Sequence, residues 1–244
     1  MSRWLTRASL LALVFVFNGC ASRPFGSVKV KDTSKTFNTV IVDAGHGGKD
    51  SGAFRRFGGA EKNATLDVAK RVDEKLRESQ LKTIMTRDSD IFIPLDDRVS
   101  ILNKQKNAIF VSIHFNDSSR RGIRGFETYY NGKASRPIAE RIQSKLLTLP
   151  KAANRGVKTA NFRVLRLAEF PAVLVECGFL SNRREGGDAR NPAGRDKLAD
   201  KIAEAIVEQR FGADVYGAKP VANPTIEGQA PEGPGLAPSS AKRN

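Results

Sequence analysis

The chain has 244 residues, 40% of them hydrophobic and 27% charged. That length suits one domain with tails, and that apolar share is enough to pack a core, which excludes wholesale disorder. The 41 Lys+Arg against 26 Asp+Glu give +15, which favours anionic surroundings, while two cysteines exclude a disulfide scaffold and two histidines exclude a three-histidine metal site.

The amino terminus places Arg3 and Arg7 before an apolar run from Ala8 to Phe17, then Asn18, Gly19 and Cys20. The run is too short to span a bilayer and fits the core of an export signal over residues 1–19. A cysteine at that boundary resembles a bacterial lipoprotein signal, with Cys20 as an acylated first residue of the mature chain. Asn18 and Phe17 depart from the small and aliphatic residues usual there. An ordinary secretory signal is the alternative. Residues 20–38 are polar without periodicity and read as a tether.

Strand-like and helix-like patterns then alternate. Residues 39–43 form a β-branched run that ends in Ala44-Gly45-His46-Gly47-Gly48. Leu66, Ala69, Val72 and Leu76 share one helical face, residues 82–86 read as a strand, and Val99 with Leu102 suggests a helix. Residues 108–114 are a strong strand, and 125–130 alternate as another. Ile138, Ile142 and Leu146 mark a helix. Residues 163–166 and 172–176 read as short strands, and Leu198, Ile202, Ala205 and Ile206 mark a last helix. The tail 214–244 carries five prolines and four glycines from Gly217 onward and reads as disordered. The alternation predicts an α/β class: a single layered domain over 39–213, with a mostly parallel sheet and helices on both faces.

In such sheets, functional groups gather beyond the carboxyl ends of strands. His46, His114 and Glu176 each stand at such an end. A lone histidine is most often structural. Here both of the chain's histidines occupy equivalent ends, which points to one shared site. Two imidazoles and a carboxylate can hold zinc and leave a position open. Glu61 is the best-placed carboxylate, in the first turn of the helix after the Gly-rich segment, although an acid there is also simply a good dipole partner. Spacing alone leaves both readings open.

The ordered segments resemble the zinc-dependent N-acetylmuramoyl-L-alanine amidases of the third amidase family, which are peptidoglycan hydrolases. They are Ile41 to Gly48, Glu61-Lys62-Asn63, Thr86-Arg87, Leu95 with Arg98 and Asn103, Val111 to Asn116, Arg155 to Lys158, and Pro171 to Asn182. The family usually has proline where Ala44 stands. The resemblance implies Zn²⁺ bound by His46, Glu61 and His114, with Glu176 as the catalytic carboxylate. It implies that the mostly parallel sheet is mixed. It implies cleavage of the amide between N-acetylmuramic acid and L-alanine in peptidoglycan. The amino-terminal signal in turn implies an exported protein of the cell envelope, anchored through Cys20 and facing the periplasm or wall.

Some relatives carry an autoinhibitory helix, but the 62 residues from His114 to Glu176 hold no obvious added segment, so an open site is expected. Burial at a strand end should raise the Glu176 pKa and suit it to both base and acid roles.

Cys177 should face away from Glu176 as a small buried hydrophobe. Asp43 either orients His46 or merely ends a strand. Glu127 reads as structural, Arg155 and Lys158 as candidates for stem-peptide carboxylates, and Asn116 as either a loop tie or a substrate contact. A catalytically inactive peptidoglycan-binding protein of the same fold is the second reading, and the intact set of four site residues argues against it. No nucleic-acid motif accompanies the basic charge, and the export signal opposes that function.

Overall fold

The computed structural model describes residues 28–217 except Arg121 and Asp214. The signal 1–19, Cys20 and nearly all of the tail lie outside the described residues. Among the described residues, no helix is long and apolar enough to cross a membrane.

The chain runs β1 (Thr39–Ala44), a two-residue hairpin of β2 (Phe54–Arg55) and β3 (Gly59–Ala60), α1 (Glu61–Glu78), β4 (Lys82–Met85), α2 (Leu95–Asn103) and β5 (Ala108–Asn116). It continues through β6 (Phe126–Tyr130), α3 (Arg136–Leu146), β7 (Asn154–Thr159), α4 (Arg163–Arg166), β8 (Ala172–Phe179), α5 (Arg183–Arg190) and α6 (Pro192–Phe211). Six strands make one sheet in the order β4-β1-β5-β8-β6-β7. Every pairing is parallel except β6 with β8. The mostly parallel α/β layer expected from the alternation is the observed one, and the antiparallel β6–β8 pair makes it mixed, as the family resemblance implied.

Period-two alternation divides the core. Val40, Val42 and Ala44 of β1 and Ile109, Val111 and Ile113 of β5 face one cluster, shared with Val68 and Val72 of α1, Ile142 of α3 and Ile202 of α6. Ile41 and Phe110 face the other, with Val99 and Leu102 of α2 and Val164 and Leu165 of α4. On this second face the apolar members of β1, β5 and β8 end with Ile41, Phe110 and Leu174, and the buried polar Asp43 and Ser112 follow them on β1 and β5. A cavity of about 450 Å³ opens there, lined among others by His46, His114, Phe92, Leu95 and Phe162.

Local structure departs from the sequence reading in four places. Residues 163–166 form one helical turn and not a strand, because Val164 and Leu165 bury together against the α2 face. A short apolar run does not itself distinguish the two states. Residues 154–159, unassigned from sequence, pair with β6 as an edge strand. Residues 183–190 form a helix despite two glycines. Asn182 caps it by accepting from the Arg184 and Glu185 amides, and a Cβ on Gly186 would lie 2.5 Å from the Leu180 carbonyl. Finally, the packed body begins before residue 39. Phe37 is fully buried, Thr33 Oγ1 donates to the Ala108 carbonyl, and Gln209 Nε2 donates to the Ser34 carbonyl. The polar reading of 20–38 as a tether does not extend to this stretch.

Candidate metal centre and active site

His46 sits just past β1 with φ of 60°, a left-handed conformation that non-glycine residues seldom adopt. Such a conformation persists only where surroundings hold it. Two buried arginines do so. Arg98 Nη2 donates to the His46 carbonyl at 2.7 Å and Nη1 to the Ala44 carbonyl at 2.6 Å. Arg87 donates to the Ala44 and Gly45 carbonyls. Asp43, almost wholly buried, anchors Arg98. It accepts from Arg98 Nη1 at 2.7 Å, Thr86 Oγ1 at 2.6 Å and Ser112 Oγ at 2.6 Å. Asp43 therefore acts on the His46 backbone through Arg98. The carboxylate that orients the imidazole is Asp50, whose Oδ2 lies 2.9 Å from His46 Nδ1.

That contact leaves His46 Nε2 aimed at Glu61 Oε1, 3.0 Å away. His114 Nδ1 approaches the same oxygen at 3.1 Å. Glu61 opens α1 with its side chain turned inward and buried, and Oε2 accepts from the Ala53 amide. One ligand atom each from His46, Glu61 and His114 lie within 4.8 Å of one another, a cluster that could hold a metal ion. Two glycines make the space. A Cβ on Gly45 would come within 2.4 Å of the His114 ring. One on Gly52, where φ is +60°, would come within 2.6 Å of Glu61 Oε2 and 2.7 Å of His46. Burial works to raise the Glu61 pKa, but hydrogen bonds and charge from His114 and His46 win and hold it far below the usual carboxylate range. Burial likewise lowers the His46 pKa, yet Glu61 and Asp50 carry it above its ordinary value. Both histidine side chains remain about a fifth exposed, at 21% and 20%, so the cluster faces an open cleft.

Glu176 is the direct register partner of His114 across β5 and β8. Its Oε2 is out of solvent and has no hydrogen-bond partner among the described residues. Burial first, then the charges of Glu61 and Glu127, push its pKa up to about 7 against the opposing pull of the histidines. Cys177 is buried on the other face of β8, and burial raises its thiol pKa well above normal. Its reading as a small hydrophobe agrees with that setting.

Glu127 lies opposite Glu176 on β6. It accepts from Asn116 Nδ2 and Lys158 Nζ, and from Arg155 Nε at 3.2 Å. Asn116 thus ties β5 to β6. The sequence reading missed Asp50 and left the role of Arg98 unstated. Asp50 carries a usable signal, being an acid four residues beyond His46 inside a glycine-rich turn. Nothing local announces that a helical arginine will reach the His46 carbonyl.

The family model for N-acetylmuramoyl-L-alanine amidase matches residues 40–208, which hold every residue of this cluster. The chain belongs to that amidase family. N-acetylmuramoyl-L-alanine amidase LytC of Bacillus subtilis (strain 168) is 37% identical over 173 residues, covering 69% of this chain and 35% of LytC. The chain therefore matches only about a third of that relative's length. Amidase AmiC2 of Nostoc punctiforme superposes with a TM-score of 0.68 at 35% identity, over 70% of this chain and 95% of its own. The catalytic domain of the amidase CwlV from Bacillus (Paenibacillus) polymyxa var. colistinus gives 0.66 at 36%, over 70% and 97%. The amidase fold thus accounts for the sheet, its helices and the cleft.

Proposed function

We propose that this chain is a zinc-dependent N-acetylmuramoyl-L-alanine amidase of the cell envelope. The observation that carries the reading is the convergence of His46 Nε2 and His114 Nδ1 on Glu61 Oε1, next to a raised-pKa carboxyl at Glu176. Two imidazoles and one carboxylate with an open side suit a catalytic zinc site. The orphaned Glu176 Oε2 fits a group kept for chemistry and not for packing.

In this reading His46, Glu61 and His114 hold the ion, and Asp50 fixes the His46 tautomer by taking its Nδ1–H. A bound zinc supplies positive charge that polarises a carbonyl and makes water more acidic. Glu176 takes the proton from the attacking water as its oxygen bonds to the lactyl carbonyl carbon. It then gives that proton to the L-alanine nitrogen as the C–N bond breaks. A carboxyl titrating near neutrality can do both. Arg98 and Arg87 take no part in the proton traffic; they hold the backbone that presents His46.

The export and anchoring part of the reading rests on the amino-terminal sequence. Arg3 and Arg7, the apolar run and Gly19-Cys20 support a lipid anchor at Cys20. Cys20→Ser should then shift the protein from the membrane fraction to the soluble exported fraction. A wild-type protein already soluble, with a mature terminus elsewhere, would remove the anchor from the reading.

Digestion of purified peptidoglycan, with mass spectrometry of the products, tests the activity. Free stem peptides beginning at L-alanine and glycan strands with intact lactyl carboxyls are expected, and chelation should abolish them. Glycan fragments without free stem peptides would overturn the proposal.

A further inference from the structure

One row of side chains crosses the sheet at the level of the metal cluster. His114 on β5 pairs with Glu176 on β8, and Glu176 pairs with Glu127 on β6. On β7 the register slips between the partners of Phe126 and Thr128, so the stretch Arg155-Gly156 lies opposite Glu127. The row therefore reads metal donor, acid, buried acid, cation. Lys158, the partner of Tyr129, joins its end.

The two cations are held in place. Both donate to the same oxygen, Glu127 Oε2. The Arg155 guanidinium lies 4.9 Å from the centroid of Phe179, and Lys158 Nζ lies 5.7 Å from that of Tyr129. Tyr129 packs edge-on against Phe162, which lines the cavity beside His46 and His114. Glu127 is buried, yet the Arg155 and Lys158 side chains are 34% and 40% exposed. Two cations share one buried carboxylate, so a positive charge is left over at the cleft end of the row.

We propose that Arg155 and Lys158, positioned by Glu127, form a carboxylate-binding subsite for an acidic residue of the stem peptide following L-alanine. The proposal rests on the amidase reading above. Strands are spaced about 4.8 Å apart, so Glu176 and β7 are separated by roughly 10 Å. Two residues of extended peptide span about 7 Å. The flexible stems of Lys158 and Arg155 cover the difference. A stem peptide laid across the strands, with its scissile amide at Glu176, brings its second residue to the cations.

The test uses zinc-loaded Glu176→Gln protein and two ligands with the γ-carboxyl blocked: the γ-methylamide of N-acetylmuramoyl-L-alanyl-D-glutamate, whose α-carboxylate is free, and the γ-methylamide of N-acetylmuramoyl-L-alanyl-D-isoglutamine, whose α-carboxyl is an amide. Calorimetry should give about tenfold or more tighter binding of the acid, as a charge-assisted hydrogen bond provides. Adding Lys158→Gln or Arg155→Gln should bring the acid-to-amide ratio toward one, and Lys158→Arg should restore it. Equal binding of the two ligands, no binding of either, or a Lys158→Gln loss shared equally between them would overturn the subsite. Turnover of whole peptidoglycan by the unaltered chain is read separately. Its absence beside a retained acid preference would sink the amidase reading and leave the subsite standing.

Discussion

Glu176 and Glu127 face each other directly across the antiparallel pair β8 and β6, and their surroundings drive the two carboxyls in opposite directions. Burial, with Glu61 and Glu127 adding negative charge, pushes Glu176 up to about 7. Burial acts on Glu127 too, but the Lys158 hydrogen bond and the Lys158 and Arg155 charges hold it below its ordinary value. Pairs of acids separated in this way divide labour in many active sites. Here the neutral-range carboxyl adjoins the His46, Glu61 and His114 cluster, and the one held below its ordinary value accepts from cations.

Glu176→Gln keeps the shape of the side chain and removes its exchangeable proton. It should retain zinc, fold and peptidoglycan binding while losing on the order of 10² to 10⁴ in turnover. Glu127→Gln and Cys177→Ala should both remain far more active. A Glu176→Gln enzyme within a few-fold of wild type, measured by stem-peptide release, would move the proton-transfer role to another group.

Asp50 determines which nitrogen of His46 is free. Removing a carboxylate behind a metal-binding histidine typically weakens the metal by about 10- to 100-fold. Competition with a chelator of known zinc affinity should show that loss in Asp50→Ala. Unchanged zinc affinity would mean that the His46 backbone conformation alone fixes the ring.

The raised Glu176 pKa also has a stability consequence in zinc-free protein. A free carboxyl titrates near 4.5 and this one near 7, so between those values the folded chain keeps a proton that the unfolded chain has released. The group's contribution therefore becomes less favourable as pH rises from about 4.5 to about 7, and the cost is complete above that. Glu176→Gln should accordingly stabilise the zinc-free protein at pH 8 by on the order of 3 kcal/mol and by far less at pH 5. Urea melts at the two values check this, and an equal gain at both would contradict the cause assigned.

Arg98 and Asp43 are 3% and 1% exposed, 2.7 Å apart. Losing one member leaves a buried charge without its partner, at about 3–5 kcal/mol. Arg98→Met should show that loss in denaturant melts. It should also weaken zinc, because the His46 carbonyl is released from Nη2. Loss of stability with zinc affinity intact would separate the clamp from the metal site.

The sequence by itself determined the layered α/β class and the ends of its main strands, and its resemblance to a known family singled out His46, Glu61 and His114, which the fold brings together. Alternation and helical spacing are local signals, and strand ends in such sheets are where function gathers. With two histidines in the whole chain, few arrangements were open. Only the tertiary structure decided the rest. That Asp50 serves His46 while Asp43 serves Arg98 depends on a left-handed turn whose direction no periodicity reports. That residues 163–166 coil and 154–159 extend depends on which neighbour offers burial or an open sheet edge. The row from His114 to Arg155 depends on β6 pairing antiparallel to β8 with β7 beyond it. Strand order is set by how the whole chain closes over its two apolar faces, and segments distant in sequence carry no local record of it.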